Sequence, residues 1–167
     1  MKRFGLAVAA GSLLALGVAG SAMAAQDDWT GGPYDFVSGS IKRLGLHDDV
    51  IRHFILSAHD GPQGAHGQYT ATYGQGKTEL GYKGTVTCIN VVGRDAKVGI
   101  LITDSTRPDA VVGTYEILRV TNYGVPGDGS GDALSPGVFT STPANCSAPV
   151  DDTSPTFAGN FTVHDGG

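Results

Sequence analysis

The chain has 167 residues, with 11 Lys plus Arg against 16 Asp plus Glu and a formal net charge of −5 at pH 7. That balance, with no cluster of cations, excludes the usual footprint of a nucleic-acid or anionic-membrane partner, which needs concentrated Lys and Arg. Two cysteines, not in Cys-x-x-Cys spacing, exclude a thiolate zinc centre and a dithiol redox motif.

Residues 1–24, MKRFGLAVAAGSLLALGVAGSAMA, predict a cleaved signal peptide. Lys2 and Arg3 form a basic start, Leu6 to Val18 is an apolar run loosened by Gly11 and Gly17, and Ala22-Met23-Ala24 supplies the small residues of a cleavage site. The run falls short of the ~20 apolar residues of a bilayer-crossing helix. No Cys stands at the cleavage point to take a lipid, so the expected product is secreted, extracellular and not held to a membrane. It leaves 143 of the 167 residues, one ordinary domain.

The mature chain is expected to open with a loose arm over 25–35, where Gly31-Gly32-Pro33 is polar punctuation and Trp29 is the one large apolar group. A single β domain over 36–167 follows. Phe36 to Leu46 reads equally as a weak strand or a helical turn. Ile51 to His59 alternates, with Phe54, Leu56 and Ala58 on one face behind Arg52, and His53, Ile55, Ser57 and His59 on the other. After the turn at Asp60-Gly61-Pro62, Gln68 to Tyr73 alternates as a half-buried strand. Tyr82 to Val92 and Ala96 to Thr103 are β-rich runs joined across Gly93-Arg94-Asp95, a hairpin. Its expected core stripes are Val98, Ile100 and Ile102, and Thr85, Thr87, Ile89 and Val91.

Thr114 to Thr121 is the next strand, with Glu116, Leu118 and Val120 on one side and Tyr115, Ile117 and Arg119 on the other. Asn122 to Thr156 carries Pro126, Pro136, Pro143 and Pro149 and reads as a long excursion with at most a short strand near Val138 to Ser141. Asn160 to His164 closes the domain. These elements predict an all-β fold of about 6–8 strands, a small antiparallel barrel, with a β-sandwich as the alternative. An even cysteine count in an exported chain predicts a Cys88–Cys146 disulfide. It would pin the excursion to the central hairpin.

Gly84-Thr85-Val86-Thr87-Cys88-Ile89-Asn90-Val91-Val92-Gly93, then Ala96-Lys97-Val98-Gly99 and the ending Gly159-Asn160-Phe161-Thr162-Val163-His164-Asp165, resemble small exported β-rich proteins of unknown function from actinobacteria. Ser57-Ala58-His59 and Gly67 fit the same pattern, which spans about residues 51–165. The resemblance implies secretion and a β-rich domain and carries no catalytic residues with it.

Chemistry is thinly spread along the chain. His59 with Asp60 or His66 is the one local pair suited to proton transfer or metal binding; His53 lies too far along a regular strand to share an ion with His59. Asp128, Ser130 and Asp132 alternate as calcium-loop ligands do, but Phe139 stands where such a loop needs its Glu. Asp104 and Glu116 are read as turn and solvent residues rather than as a glycosidase pair. Tyr69, Tyr73, Tyr82 and Tyr115 are the candidate ligand face. The sequence therefore predicts a secreted binding or structural module without a cofactor, for a small-molecule, carbohydrate or protein ligand. One alternative is a small hydrolase or cofactor-free isomerase using His59 with Asp60 or His66. Another is an inhibitor that uses the Asn122 to Thr156 excursion as its contact loop.

Overall fold

Runs in which β-branched and aromatic residues alternate with polar ones bury one face and wet the other, and in this chain they pair in succession. The computed structural model describes residues 33–44, 50–74, 79–124, 132–135, 137–150, 154–155 and 158–167. The expected signal peptide and most of the expected arm, with Trp29, lie outside the described residues, as do Asp128 and Ser130.

The strands are β1 (Phe36–Leu44), β2 (Ile51–His59), β3 (His66–Tyr73), β4 (Leu80–Val92), β5 (Asp95–Ser105), β6 (Tyr115–Thr121), β7 (Ala133–Leu134), β8 (Val138–Thr140), β9 (Ser154–Pro155) and β10 (Ala158–His164). Eight of them have three residues or more. Among the described residues there is no helix, and so none long and apolar enough to cross a membrane. All ten strands belong to one sheet in the order β10-β1-β2-β3-β4-β5-β6-β7-β9, with β8 also on β6. Every pairing is antiparallel.

The sheet is strongly curled into a half-barrel, and β10 comes round against β6. The sandwich alternative is overturned, because the described strands share one hydrogen-bonded sheet rather than two packed ones. The run from Phe36, ambiguous in sequence, is strand β1 over its described part, Phe36–Leu44, paired on both sides.

The inner face carries the core: Val37 and Ile41 from β1, Phe54, Leu56 and Ala58 from β2, Val98, Ile100 and Ile102 from β5, Leu118 and Val120 from β6, and Phe161 from β10. The β4 stripe differs from expectation. Register shifts between Val86 and Cys88, so one extra residue, Thr87, breaks the alternation as a β-bulge does. Tyr82 and Val86 face inward before it and Ile89 and Val91 after it, whereas Thr85 and Thr87 leave the core. Gly93 closes the β4–β5 hairpin at φ +61, in the left-handed region where a Cβ is strained.

Two long-range side-chain bonds draw the outer parts of the sheet together. Asp132 is 1% exposed; its Oδ1 accepts the N–H of Tyr123 at 3.1 Å and its Oδ2 accepts the N–H of Phe161 on β10. Arg43 of β1 donates from Nη1 to the carbonyl of Leu134 on β7 at 3.1 Å. Asp35, assigned to the arm by sequence, is held in the body: its carboxylate accepts from Val91 N at 2.9 Å and Gly166 N at 3.0 Å.

The excursion contributes more strand than expected. β7 and β8 cover the outer edge of β6 in two pieces, which blunts an edge otherwise open to pairing. Cys146, beyond β8, is bonded to Cys88 on β4, with Cα atoms 6.0 Å apart and a sequence separation of 58. In the chain-entropy model a loop of that length is worth about 4 kcal/mol. The double variant Cys88→Ser, Cys146→Ser is therefore expected to lose about 4 kcal/mol of unfolding free energy, read by guanidinium denaturation monitored at Tyr fluorescence; a loss under about 1 kcal/mol would show that the excursion is held without the bond.

Candidate functional site

Three inward stripes end in a charged residue at the same mouth of the half-barrel. Val37 and Ile41 lead to Arg43 along β1, Ala58, Leu56 and Phe54 lead to Arg52 along β2, and Val120 and Leu118 lead to Glu116 along β6. Antiparallel register sets these residues side by side. Arg43 faces Arg52, and Arg52 faces Tyr73 of β3. One row deeper, Ile41, Phe54, Ala71 and Tyr82 follow one another across β1 to β4. Phe139 of β8 faces Glu116.

Arg43, Arg52, Tyr73, Tyr82, Glu116 and Phe139 line an open cavity of about 580 Å³ together with Arg107 and Asp109 from the β5–β6 connection. That connection is fixed at Gly81, which donates to Thr106 Oγ1 at 2.9 Å and accepts from Thr106 N at 2.8 Å. Arg107 is thereby laid over Tyr73, its Cζ 3.9 Å from the ring centroid, and it pairs with Asp109. Arg52 approaches Tyr73 at 5.6 Å, and Arg43 lies 5.3 Å from the Phe54 ring. Tyr73 and Tyr82 stack at 6.1 Å, and Phe139 meets Tyr82 edge-on at 5.9 Å.

Glu116 is 2% exposed. Its Oε1 accepts the Tyr82 hydroxyl at 2.9 Å, and the Tyr73 hydroxyl lies 3.4 Å from that of Tyr82. Its Oε2 is buried without a hydrogen-bond partner, and so is Nε of Arg43. Burial pushes the Glu116 carboxyl up to about 7, against the opposing pull of the Tyr82 bond and of Arg107 and Arg43. Burial, then the facing Arg52, draws the Arg43 guanidinium below its ordinary range. Tyr69, Tyr73 and Tyr82 are pushed upward by burial and stay neutral donors. Gly137 lies against this carboxyl: a Cβ there would fall 1.7 Å from Glu116 Oε1.

Of the four candidate tyrosines, Tyr73 and Tyr82 line the cavity, Tyr69 packs beneath them in the core, and Tyr115 sits on the other face of β6. His59, Asp60 and His66 are elsewhere, at the far end of β2 from Arg52, about 23 Å away at ~3.3 Å per residue. His59 and His66 are cross-strand partners with stacked rings 5.7 Å apart, and burial and His66 hold His59 below its ordinary value. Asp60 Oδ1 accepts from Gly61 N, His59 Nε2 lies 3.1 Å from Ser57 Oγ, and His53 Nε2 lies 2.7 Å from Ser40 Oγ. Among the described residues no three His, Cys, Asp or Glu gather as a metal site. Asp132, the one described residue of the calcium-like Asp128, Ser130, Asp132 spacing, accepts from two backbone donors.

Sequence reasoning missed Arg43, Arg107 and the burial of Glu116. Asp104 is exposed but lies in strand β5, paired with Lys83, rather than in a turn, and Glu116 is not a solvent residue. The available signal was position: Glu116 shares the stripe of Leu118 and Val120, and Arg43 that of Val37 and Ile41. Set against protein-family models, characterised proteins and solved structures, the chain matches none. The fold and site define a half-barrel β domain with an arginine- and tyrosine-lined mouth over a buried carboxyl.

The raised Glu116 value makes stability pH-dependent. Between its ordinary 4.5 and about 7, the folded chain holds a proton that the unfolded chain has released, so stability is full below about 4.5 and falls as pH rises through 7. Relative to Glu116→Gln, the protein is expected to lose about 3 kcal/mol over that window. Urea unfolding of both forms at pH 4.5, 6 and 8 measures it, and parallel stability curves would mean that the carboxyl titrates alike in both states.

Proposed function

We propose that the mouth of the half-barrel binds a small organic anion with an aromatic body, and that the protein does this as an exported, extracellular binding module. The observation behind the reading is the Arg43–Arg52 cross-strand pair on the inner face of the sheet. Like charges set directly opposite destabilise a sheet, and Arg43 has no carboxylate ion-pair partner among the described residues. A bound carboxylate relieves both costs, since guanidinium groups match it with paired N–H donors.

The remaining wall supports the aromatic body. Tyr73, Tyr82 and Phe139 line the same cavity as one aromatic cluster, and aromatic walls take a planar ring by offset or edge-on packing. A volume of about 580 Å³ falls in the range of small-molecule sites, roughly 300–1,000 Å³. Export is supported by the leader pattern in residues 1–24 and by the Cys88–Cys146 bond, which persists in oxidising surroundings.

Calorimetric titration with phenylacetate and its neutral amide tests the reading. Phenylacetate is expected to bind and the amide to bind at least about 30-fold more weakly; Arg43→Gln is expected to weaken phenylacetate by about the same factor, or 2 kcal/mol. Equal binding of acid and amide, or no saturable binding of either, would reject the anion site.

A further inference from the structure

Glu116 has the surroundings of a base rather than of a structural carboxylate. A buried carboxylate oxygen left without a partner costs stability, whereas Leu118 and Val120 fill the same stripe with apolar groups. The oxygen concerned is Oε2, on the carboxyl that lines the cavity, while Oε1 is anchored by Tyr82 at 2.9 Å. A carboxyl that lines a cavity, held at one oxygen by a hydroxyl donor and unpartnered at the other, has the parts that proton transfer needs.

The groups facing Glu116 come from several elements: Arg43 from β1, Tyr69 and Tyr73 from β3, Tyr82 from β4, and Arg107 and Asp109 from the β5–β6 connection. Cations therefore flank the carboxyl, where they stabilise negative charge that forms on a ligand. We propose that Glu116 is a catalytic base that enolises an aryl 2-oxo acid bound in the mouth, with Arg43 and Arg107 holding its carboxylate and the developing enolate. This rests on the cavity being an organic-anion site, and it adds a substrate class: a carboxylate for the arginines, an aromatic ring for Tyr73, Tyr82 and Phe139, and an acidic C–H beside a carbonyl for Glu116.

The step balances within the complex. Oε2 takes a proton from C3 of the ligand, the C–H electron pair forms the C2–C3 double bond, and the carbonyl π pair moves onto the C2 oxygen. The neutral carboxyl then returns its proton to that oxygen, giving the enol, or to C3, restoring the ketone. No atom or electron is gained or lost, and the carboxylate is regenerated. Ionisation near 7 suits a base that must both accept and return a proton at neutral pH. Tyr82 is a positioning residue, acting through Oε1.

The experiment follows phenylpyruvate in deuterated buffer with the full chain, reading loss of the C3 protons by NMR while calorimetry reads its binding. Expected is saturable exchange above the buffer rate, rising with pH through about 7. Glu116→Gln is expected to lose at least about 100-fold of the protein-dependent rate while still binding phenylpyruvate; Glu116→Asp is expected to recover part of it. Tyr82→Phe is expected to move the midpoint of the pH–rate profile upward, because the bond it removes is one that lowers the Glu116 value; a purely structural role would lower the rate at an unchanged midpoint. Saturable binding with exchange only at the buffer rate, or full exchange by Glu116→Gln, overturns the base and leaves the anion site standing. Absence of binding removes the anion site itself and this inference with it.

Discussion

A single sheet that must bury one face has to curl until that face meets itself, and here the last step of the curl is made by side chains. β10 reaches β6, but the seam is held by Asp132 accepting from Phe161 and by Arg43 donating to Leu134. Charge-assisted bonds of this kind are about twice as strong as neutral ones, and inside a dry seam the loss of one partner leaves the other unsatisfied. The seam also brings Arg43 to the inner end of β1, so one interaction both holds the curl and arms the mouth.

From that constraint the polarity of the interior follows. Away from the mouth, the inner face is apolar, from Ala58 and Leu56 to Val98 and Phe161. At the mouth, consecutive strands end their inward stripes in Arg43, Arg52 and Tyr73, with Glu116 entering from β6. The excursion after β6 completes the site. β8 carries Phe139 over Glu116, Gly137 gives the carboxyl room, and the Cys88–Cys146 bond ties the far end of the segment to β4. Covering an edge strand and walling a cavity are thus done by one stretch of chain.

Much of the fold was legible because period-two alternation survives in β2, β3, β5 and β6, and because Gly93 marks the hairpin. Where alternation broke, the reading broke with it: the bulge at Thr87 moved Ile89 and Val91 out of phase with Tyr82 and Val86. β7 and β9 have two residues each, too few to show a period. The site was half legible. Tyr73 and Tyr82 were legible as amphipathic side chains of a candidate ligand face, whereas the histidines, chosen for their chemistry, are assigned by register to the opposite end of β2.

What the sequence by itself determined was local: strand, turn, the face each residue takes where a strand keeps its alternation, and an even pair of cysteines. Those follow from neighbours a few positions apart. What only the tertiary structure decided was which stripe ends share a mouth, because register and curl bring together Arg43, Tyr82, Arg107 and Glu116 from distant parts of the chain. The buried, half-satisfied state of Glu116 is likewise a property of the enclosure. A carboxyl in a strand has an ordinary acidity until surrounding walls remove its water, and those walls come from β4, β8 and the β5–β6 connection rather than from its own strand.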